Sequence, residues 1–365
     1  MTDTPASGSK LHWRRDKAAQ ALSAPSVAAD WDRLSKDRGD LPFMTAAAVC
    51  NALEVFGTGQ EVLVTGTQGG HAVAMFVLVE QGALRWQTFQ ASQMPLGCWV
   101  ALRGMSLVEL TESLIRAPVG LCLALSVTQV DPLYAPRAGD DSCVAHSDYI
   151  DTAWIDVAGS FDDYWAARGK NLRQNMRKQR NKLAAENTTT QMRVLREVAD
   201  MGPALSRYGV LESAGWKAGQ GTAIHADNAQ GRFYLRLLED GAARREAVVY
   251  EYLFGERTVA MNLCLLRAGQ LVVLKTTYDE SIKTLSPAFL LREEELQAIF
   301  GGSEIRRIEY FGRLMDWHTK LTDNKRAVYH LTRYRWPWVK RLALRRRHAA
   351  ATTSANAATS EEASA

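Results

Sequence analysis

The sequence predicts an α+β protein built of two tandem units, each a mixed, mostly antiparallel sheet flanked by helices. Two observations carry this. β-branched and aromatic runs come in threes, divided by short glycine-containing turns, and each trio is followed by a helical pattern and one more apolar run. The same order occurs in both halves, although they share no obvious sequence identity, so the repeat is architectural. A chain of 365 residues can bury two substantial cores, and 47% hydrophobic with 23% charged residues is an ordinary globular composition.

Residues 1–28 are small, polar and basic, which predicts a flexible lead-in. The first unit is expected over 29–145. LPFMTAAAVCNALEVFG reads as a helix ended by Gly57, and EVLVTGTQGG, HAVAMFVLVE and QGALRWQTFQ as a meander turning at Gly69-Gly70 and Gln81-Gly82. SLVELTESLIRAP follows as a helix closed by Pro118, and VGLCLALSV as a buried strand. The polar Asp140–Ser147 marks a junction, and YIDTAWIDVAG is a strand entering the second unit, expected over 146–345.

SFDDYWAARGKNLRQNMRKQRNKLAAEN reads as one basic helix over 160–186, opened by a Ser160/Asp163 capping box. No acid lies between Asp163 and Glu186. Lys170, Arg173, Arg177 and Arg180 fall on one stripe, beside an apolar face of Trp165, Leu172, Met176 and Leu183. An all-cationic stripe suits an anion; packing against an acidic face is the alternative. Beyond it, Trp216 and Lys217 sit in a glycine-rich loop that suits stacking on a sugar or adenine ring, or a hydrophobic plug.

A helix, GRFYLRLLEDGAARR, leads to the second meander, AVVYEYL, VAMNLCLL and LVVLKTTYD. Ser286 as N-cap and Pro287 at the first helical position then open a helix that Gly301-Gly302 stop, and EIRRIEYFG resumes a strand. A helix crossing between neighbouring parallel strands turns its free N–H groups and dipole toward the end of the preceding strand, where a pyrophosphate fits. A final strand and the segment Trp336–Arg347, aromatic then basic, precede a tail, 350–365, that is disordered by composition.

A formal charge of +4 is small for this length and does not call for nucleic acid. Five scattered cysteines without a C-x-x-C pair argue for a reducing compartment and against a disulfide framework or a metal site. The N-terminus has no apolar core behind its charges and no long apolar run occurs, so the expectation is a cytoplasmic protein.

On the order of meander, helix and strand, the second half resembles the acetyl-CoA-binding core of the GNAT superfamily, without its usual glycine-rich pyrophosphate loop. On YWAARGKNLRQNMRKQRNKL, ESAGWKAGQGTAI, LKTTYDESIKTLSPAFLL, Trp317 and Lys320, residues 151–335 resemble the CelD/BcsL group of acetyltransferases of cellulose and exopolysaccharide biosynthesis. That group commonly has Ser-Pro-Gly where this chain has Ser286-Pro287-Ala288, and often Asp at Glu309.

The resemblance implies acetyl-CoA as co-substrate and attack of an amine or hydroxyl on its thioester, with no metal. Lys275, Ser286, Ala288, Phe289 and Lys320 are then the cofactor-binding candidates. Tyr278 is a candidate acid, while Asp279, Glu309 and His318 are candidate bases. Glu309 has an alternative partner in Arg306, Arg307 or Arg313. Lys170, Arg173, Arg177, Trp216 and Lys217 are the substrate-binding candidates. The alternatives are a Fem-like transferase taking its donor from charged tRNA, which the basic helix suits, and a degenerate scaffold binding a polysaccharide-synthase partner. The basic C-terminal segment suits peripheral contact with a membrane or such a synthase.

Overall fold

The computed structural model describes residues 11–116, 120–214, 224, 225 and 227–346. The glycine loop with Trp216 and Lys217, Pro118, the first ten residues and the 350–365 tail lie outside the described residues. The α+β class holds: among the described residues thirteen strands join in one mixed, mostly antiparallel sheet, with helices on its faces.

The first half contributes β1 (His12–Lys17), β2 (Val62–Gln68), β3 (His71–Glu80), β4 (Arg85–Thr88), β5 (Trp99–Ala101) and β6 (Ala124–Val130), with helices α1 (Ala18–Leu22), α2 (Pro25–Asp37), α3 (Ala46–Phe56) and α4 (Leu107–Leu114). Thr45 caps α3, and the meander turns where the glycines predict. The lead-in expected to be flexible through residue 28 is structured from His12. β1 pairs along β2, the Trp13 indole donates to Ser113 Oγ at 2.8 Å, and Ala18, Leu22 and Trp31 are buried. A short, charged edge strand has the composition of a linker, which is why composition misled.

β7 (Val144–Asp156) begins inside the expected junction. Then come α5 (Phe161–Ala166), α6 (Lys170–Ala185), β8 (Thr190–Leu195), α7 (Val198–Ala214), α8 (Ala229–Ala243), β9 (Ala247–Phe254), β10 (Arg257–Arg267), β11 (Gln270–Tyr278), α9 (Pro287–Gly301), β12 (Arg307–Glu309), α10 (Asp316–Thr319) and β13 (Lys325–Tyr334). The single basic helix expected over 160–186 is two helices broken at Gly169, which is the N-cap of α6.

The sheet order is β1-β2-β3-β4-β6-β13-β7-β12-β11-β10-β9-β8, with β5 on β3. Only β4 with β6 and β11 with β12 run parallel among the described strands. β7 follows β6 in sequence but pairs with β12, while β13 follows β12 but pairs with β6. Each half therefore edges the other's parallel strand. One core cluster spans both halves, and Asn51 Nδ2 of α3 donates to Phe233 O of α8 at 2.9 Å.

Four charges lock this crossing. Arg326 of β13 donates to both Asp131 oxygens at 2.6–2.9 Å and to Glu309 Oε2 at 2.9 Å, and Arg307 Nε lies 2.8 Å from Glu309 Oε1. Both carboxylates are fully buried. Breaking such a network leaves like charges in a dry site. Arg326→Leu should lose about 3–5 kcal/mol of unfolding free energy, and adding Asp131→Asn and Glu309→Gln should restore most of it, as read by urea denaturation. Equal stability of Arg326→Leu and wild type would refute the lock.

Candidate functional site

β11 pairs with β10 along its length but with β12 only at Gln270–Val272, so the β12-facing edge of Val273–Tyr278 has no strand partner among the described residues. A bulge at Leu274 shifts the register, leaving Leu263 opposite Lys275 and Cys264 opposite Val273. Lys275 thereby shares the α7/α8 face with Leu263, while Thr276 faces α9 and accepts from Arg292 at 3.0 Å. Beyond β12 the chain kinks at Phe311, a non-glycine residue at φ 50°.

Two cavities flank this opening. On the α9 side, one of about 530 Å³ is lined by Arg168, Gly169, Asn171, Asn175, Ser286, Phe289, Lys320 and Asp323. It lies where the starts of α6 and α9 meet, and neither start has a side-chain cap. Ser286 is the N-cap, as its position predicts, but in left-handed backbone (φ 54°), with its Oγ accepting from Asn175 Nδ2 at 3.1 Å instead of capping. The first-turn N–H groups of both helices are thus left without side-chain caps. Arg168 is tied to Leu321 O at 2.9 Å and lies 3.9 Å from the exposed Asp323, and Lys320 Nζ sits 5.4 Å from the Phe289 ring.

On the other side, between the halves, a cleft of about 590 Å³ is lined by Gln90, Gln93, Tyr149, Tyr234, Lys275, Tyr310 and Arg313, among others. Lys275 lies 3.8 Å from buried Glu212 and 5.6 Å from the Tyr234 ring, whose hydroxyl donates to Gln93 Oε1 at 3.1 Å. Phe289, Arg292, Trp317 and Tyr310 form a continuous column of ring and guanidinium contacts from the helix-start cavity to this cleft.

Ser286, Phe289 and Lys320 are therefore brought together, with Ala288 in the first turn of α9. Lys275 is not with them: the bulge turns it to the opposite face, into the cleft. Three candidate bases are otherwise engaged. Asp279 ion-pairs with Arg257 and caps Ser281 N at 3.0 Å. Glu309 belongs to the inter-half ion cluster; burial raises its pKa, opposed by Arg326. His318 is buried, stacked on Trp317 with centroids 3.5 Å apart, and its Nδ1 accepts from Met315 N at 2.9 Å; burial, then Arg292, lowers its pKa to about 4. Tyr278 stays half-buried on the α9 face.

On α6, Lys170, Arg173 and Arg177 are exposed, whereas Arg180 is bound to Glu293 and Glu294 at 2.6–3.0 Å, the acidic-face alternative. Arg168, Asn175, Glu212 and Tyr234 were missed. The first three lie inside the motifs that carried the resemblance, but only the fold turns them inward.

The first half has the same parting strands but a closed gap. β4 and β6 pair only at Arg85–Gln87 with Ala124–Ser126, and the Thr88 and Thr128 hydroxyls bond at 2.7 Å across the opening. Gly97 packs so tightly there that a Cβ would come within 2.4 Å of Thr128 O. Its helix start is also spoken for: Ser106 caps α4, with Glu109 in the first turn.

Residues 170–319, which contain both helix starts and the open strand edge, match the family model described as an acetyltransferase (GNAT) domain. That segment is a GNAT-type acetyltransferase domain. The protein is accordingly an acyltransferase. Its fold is similar to the C-terminal domain of a putative lysylphosphatidylglycerol synthetase from Agrobacterium fabrum, at 13% identity and TM-score 0.54, over 84% of this chain and 91% of that one. It is also similar to a conserved protein of unknown function from Bacteroides thetaiotaomicron, at 10% identity and TM-score 0.53, over 89% and 100%. None of the curated proteins matches this chain. Among the described residues no cluster suited to a metal ion occurs, and no helix is long and apolar enough to cross a membrane.

Beside the column, burial raises the Glu295 pKa to about 7, with Arg292 and a hydrogen bond from Asn262 opposing. Between pH 4.5 and 6.5 the folded chain keeps the Glu295 proton that the unfolded chain loses, so that group favours folding as pH falls. His318 does the reverse, because there only the unfolded chain protonates it. The two slopes cancel in wild type. Glu295→Gln should therefore lose stability on acidification more steeply than wild type, by about 1.4 kcal/mol per pH unit in this window. Denaturant melts at three pH values check this, and parallel curves would refute it.

Proposed function

We propose that this acyltransferase takes its acyl group from a CoA thioester, acetyl-CoA by the family resemblance, and that the second half alone binds it. The observation that carries this is the meeting of two uncapped helix starts, those of α6 and α9, at one cavity with Lys320 and Arg168. Backbone N–H groups and the positive ends of two dipoles, with two cations, suit a pyrophosphate. The pantetheine arm would extend along the unpaired edge of Val273–Tyr278, whose backbone groups can bond it as a strand would. The thioester then lies at the Leu274 bulge, where the same N–H groups can stabilise the oxyanion of the tetrahedral intermediate.

The acceptor enters from the cleft between the halves. Its amine or hydroxyl attacks the thioester carbon, the C–S bond breaks, Tyr278 protonates the leaving thiolate, and the proton of the attacking group passes to solvent in the cleft, from which Tyr278 is reprotonated. Lys275, backed by Glu212, faces the acceptor instead of the cofactor. Acceptors of exopolysaccharide or cellulose biosynthesis remain the proposal that the CelD/BcsL-like motifs support, in a cytoplasmic setting where acetyl-CoA is made.

A second reading is aminoacyl transfer from tRNA. Exposed Lys170, Arg173 and Arg177 on α6, and a fold like that of the putative lysylphosphatidylglycerol synthetase domain, favour it. Pairing of Arg180 with acids and the small net charge weigh against it.

Calorimetric titration with acetyl-CoA tests the first reading on wild type, Ser286→Asp and Lys320→Glu. Aspartate tolerates left-handed backbone, so Ser286→Asp adds charge without backbone strain. Binding should weaken by about tenfold or more in each variant, the effect of a repelling charge at a helix start. Unchanged affinity in both would move the cofactor elsewhere. Absence of binding in wild type, with a salt-sensitive shift of bulk tRNA, would favour the second reading.

A further inference from the structure

A polar cavity of about 610 Å³, outside the proposed site, lies between the halves at the other end of β11 and β12. Its walls are the turn Ala268–Gln270, the start of β12 at Arg306 and Arg307, the end of α2 at Asp37–Gly39, and the turn after β5 at Leu102–Met105. The reaction cleft is lined by the carboxy-terminal parts of the same strands, Val273–Lys275 and Tyr310–Arg313. The two spaces are therefore distinct, separated by the three paired residues.

Four arginines and two aspartates line this cavity: Arg38, Arg103, Arg306 and Arg307 against Asp37 and Asp156. Asp156 accepts from the Trp154 indole at 3.0 Å and lies 3.9 Å from Arg307 Nε, which leaves Arg38, Arg103 and Arg306 without that carboxylate. Arg103 is exposed and has no partner among the described residues. Arg306 folds over the backbone of Gly269, where a Cβ would lie 2.6 Å from its guanidinium carbon. Glycine at φ 77° is thus what lets that guanidinium sit at the cavity wall.

Arg38 is the clearest sign. It is 4% exposed, stacks 3.8 Å over Trp99, and donates through Nη1 to Trp99 O, yet its Nε and Nη2 find no partner among the described residues. The acid that acts most strongly on it, Asp131, is already bound twice over by Arg326. Burial accordingly presses its pKa down to about 9. A buried guanidinium without a carboxylate of its own is costly, and an anion in the adjoining space offsets its charge through the cavity wall, since its Nε and Nη2 are closed to solvent. Leu102, Met105 and Leu133 supply an apolar wall for an organic body.

We propose that this cavity is a second ligand site, which holds a small organic molecule by a multiply charged oxyanion end, a phosphate or polycarboxylate, against Arg38, Arg103, Arg306 and Arg307. It touches the core machinery at one point. Arg307, on its wall, also contacts Glu309 of the inter-half ion cluster.

The test is calorimetry and thermal unfolding of the full chain with sodium pyrophosphate and, separately, citrate, both in saturating CoA so that the helix-start site is already filled. Wild type is compared with Arg103→Glu/Arg306→Glu, whose side chains are exposed, and with Ser286→Asp. At least one anion should bind wild type and Ser286→Asp alike, and the double variant at least about tenfold more weakly. A preference for pyrophosphate assigns a phosphate ligand, and a preference for citrate a polycarboxylate. The proposal is overturned if the double variant binds as wild type does. Loss that follows Ser286→Asp, or no binding of either anion at about 10 mM, a level that detects millimolar sites, overturns it equally.

Discussion

Three residue pairs hold β11 to β12, and beyond them the strands part. A parallel pair needs a helical crossover, so α9 must begin where β11 ends, and its first turn must open beside the gap. The bulge at Leu274 falls at the parting and sends Lys275 to one face and Thr276 to the other. An unpaired strand edge is otherwise a liability in a folded protein. Here it is flanked by a cavity on each face, one at the start of α9 and one between the halves.

The halves are one architecture used twice, with opposite outcomes. The Thr88–Thr128 bond and the tight approach of Gly97 close the first slot, and Ser106 with Glu109 neutralises its helix start. In the second half the equivalent slot is open, the helix start is uncapped, and α6 brings a second uncapped start beside it. The exchange of β7 and β13, fastened by Arg326 between Asp131 and Glu309, makes the first half a wall of the cleft instead of an independent neighbour.

Much of this was legible in the chain itself. The two meanders, their glycine turns, the helix ended by Gly57 (though it starts at Ala46, after Thr45, and not at Leu41), and the Pro287 helix start follow from period, turn chemistry and capping, which act over a few residues. What was not legible is set by partners far away in sequence. Glu309 reads as a possible base until Arg326 and Arg307 are placed against it, and His318 until Trp317 and Met315 enclose it. Lys275 reads as a cofactor ligand until one bulged residue turns it over. The charges of β1 resemble a tail until β2 is seen to pair with them. The break at Gly169 was visible as a residue, but its use, a second helix start facing Ser286, was not.

In the proposed function two helix starts, 117 residues apart in sequence at Gly169 and Ser286, act as one anion site. Amide hydrogen exchange of the full chain, with and without saturating CoA, tests this most directly. Protection should rise together in 168–172 and 286–290, and along the open edge at 273–278, while α4 of the first half stays unchanged. Slowed exchange confined to one helix start, or to the first half, would contradict it.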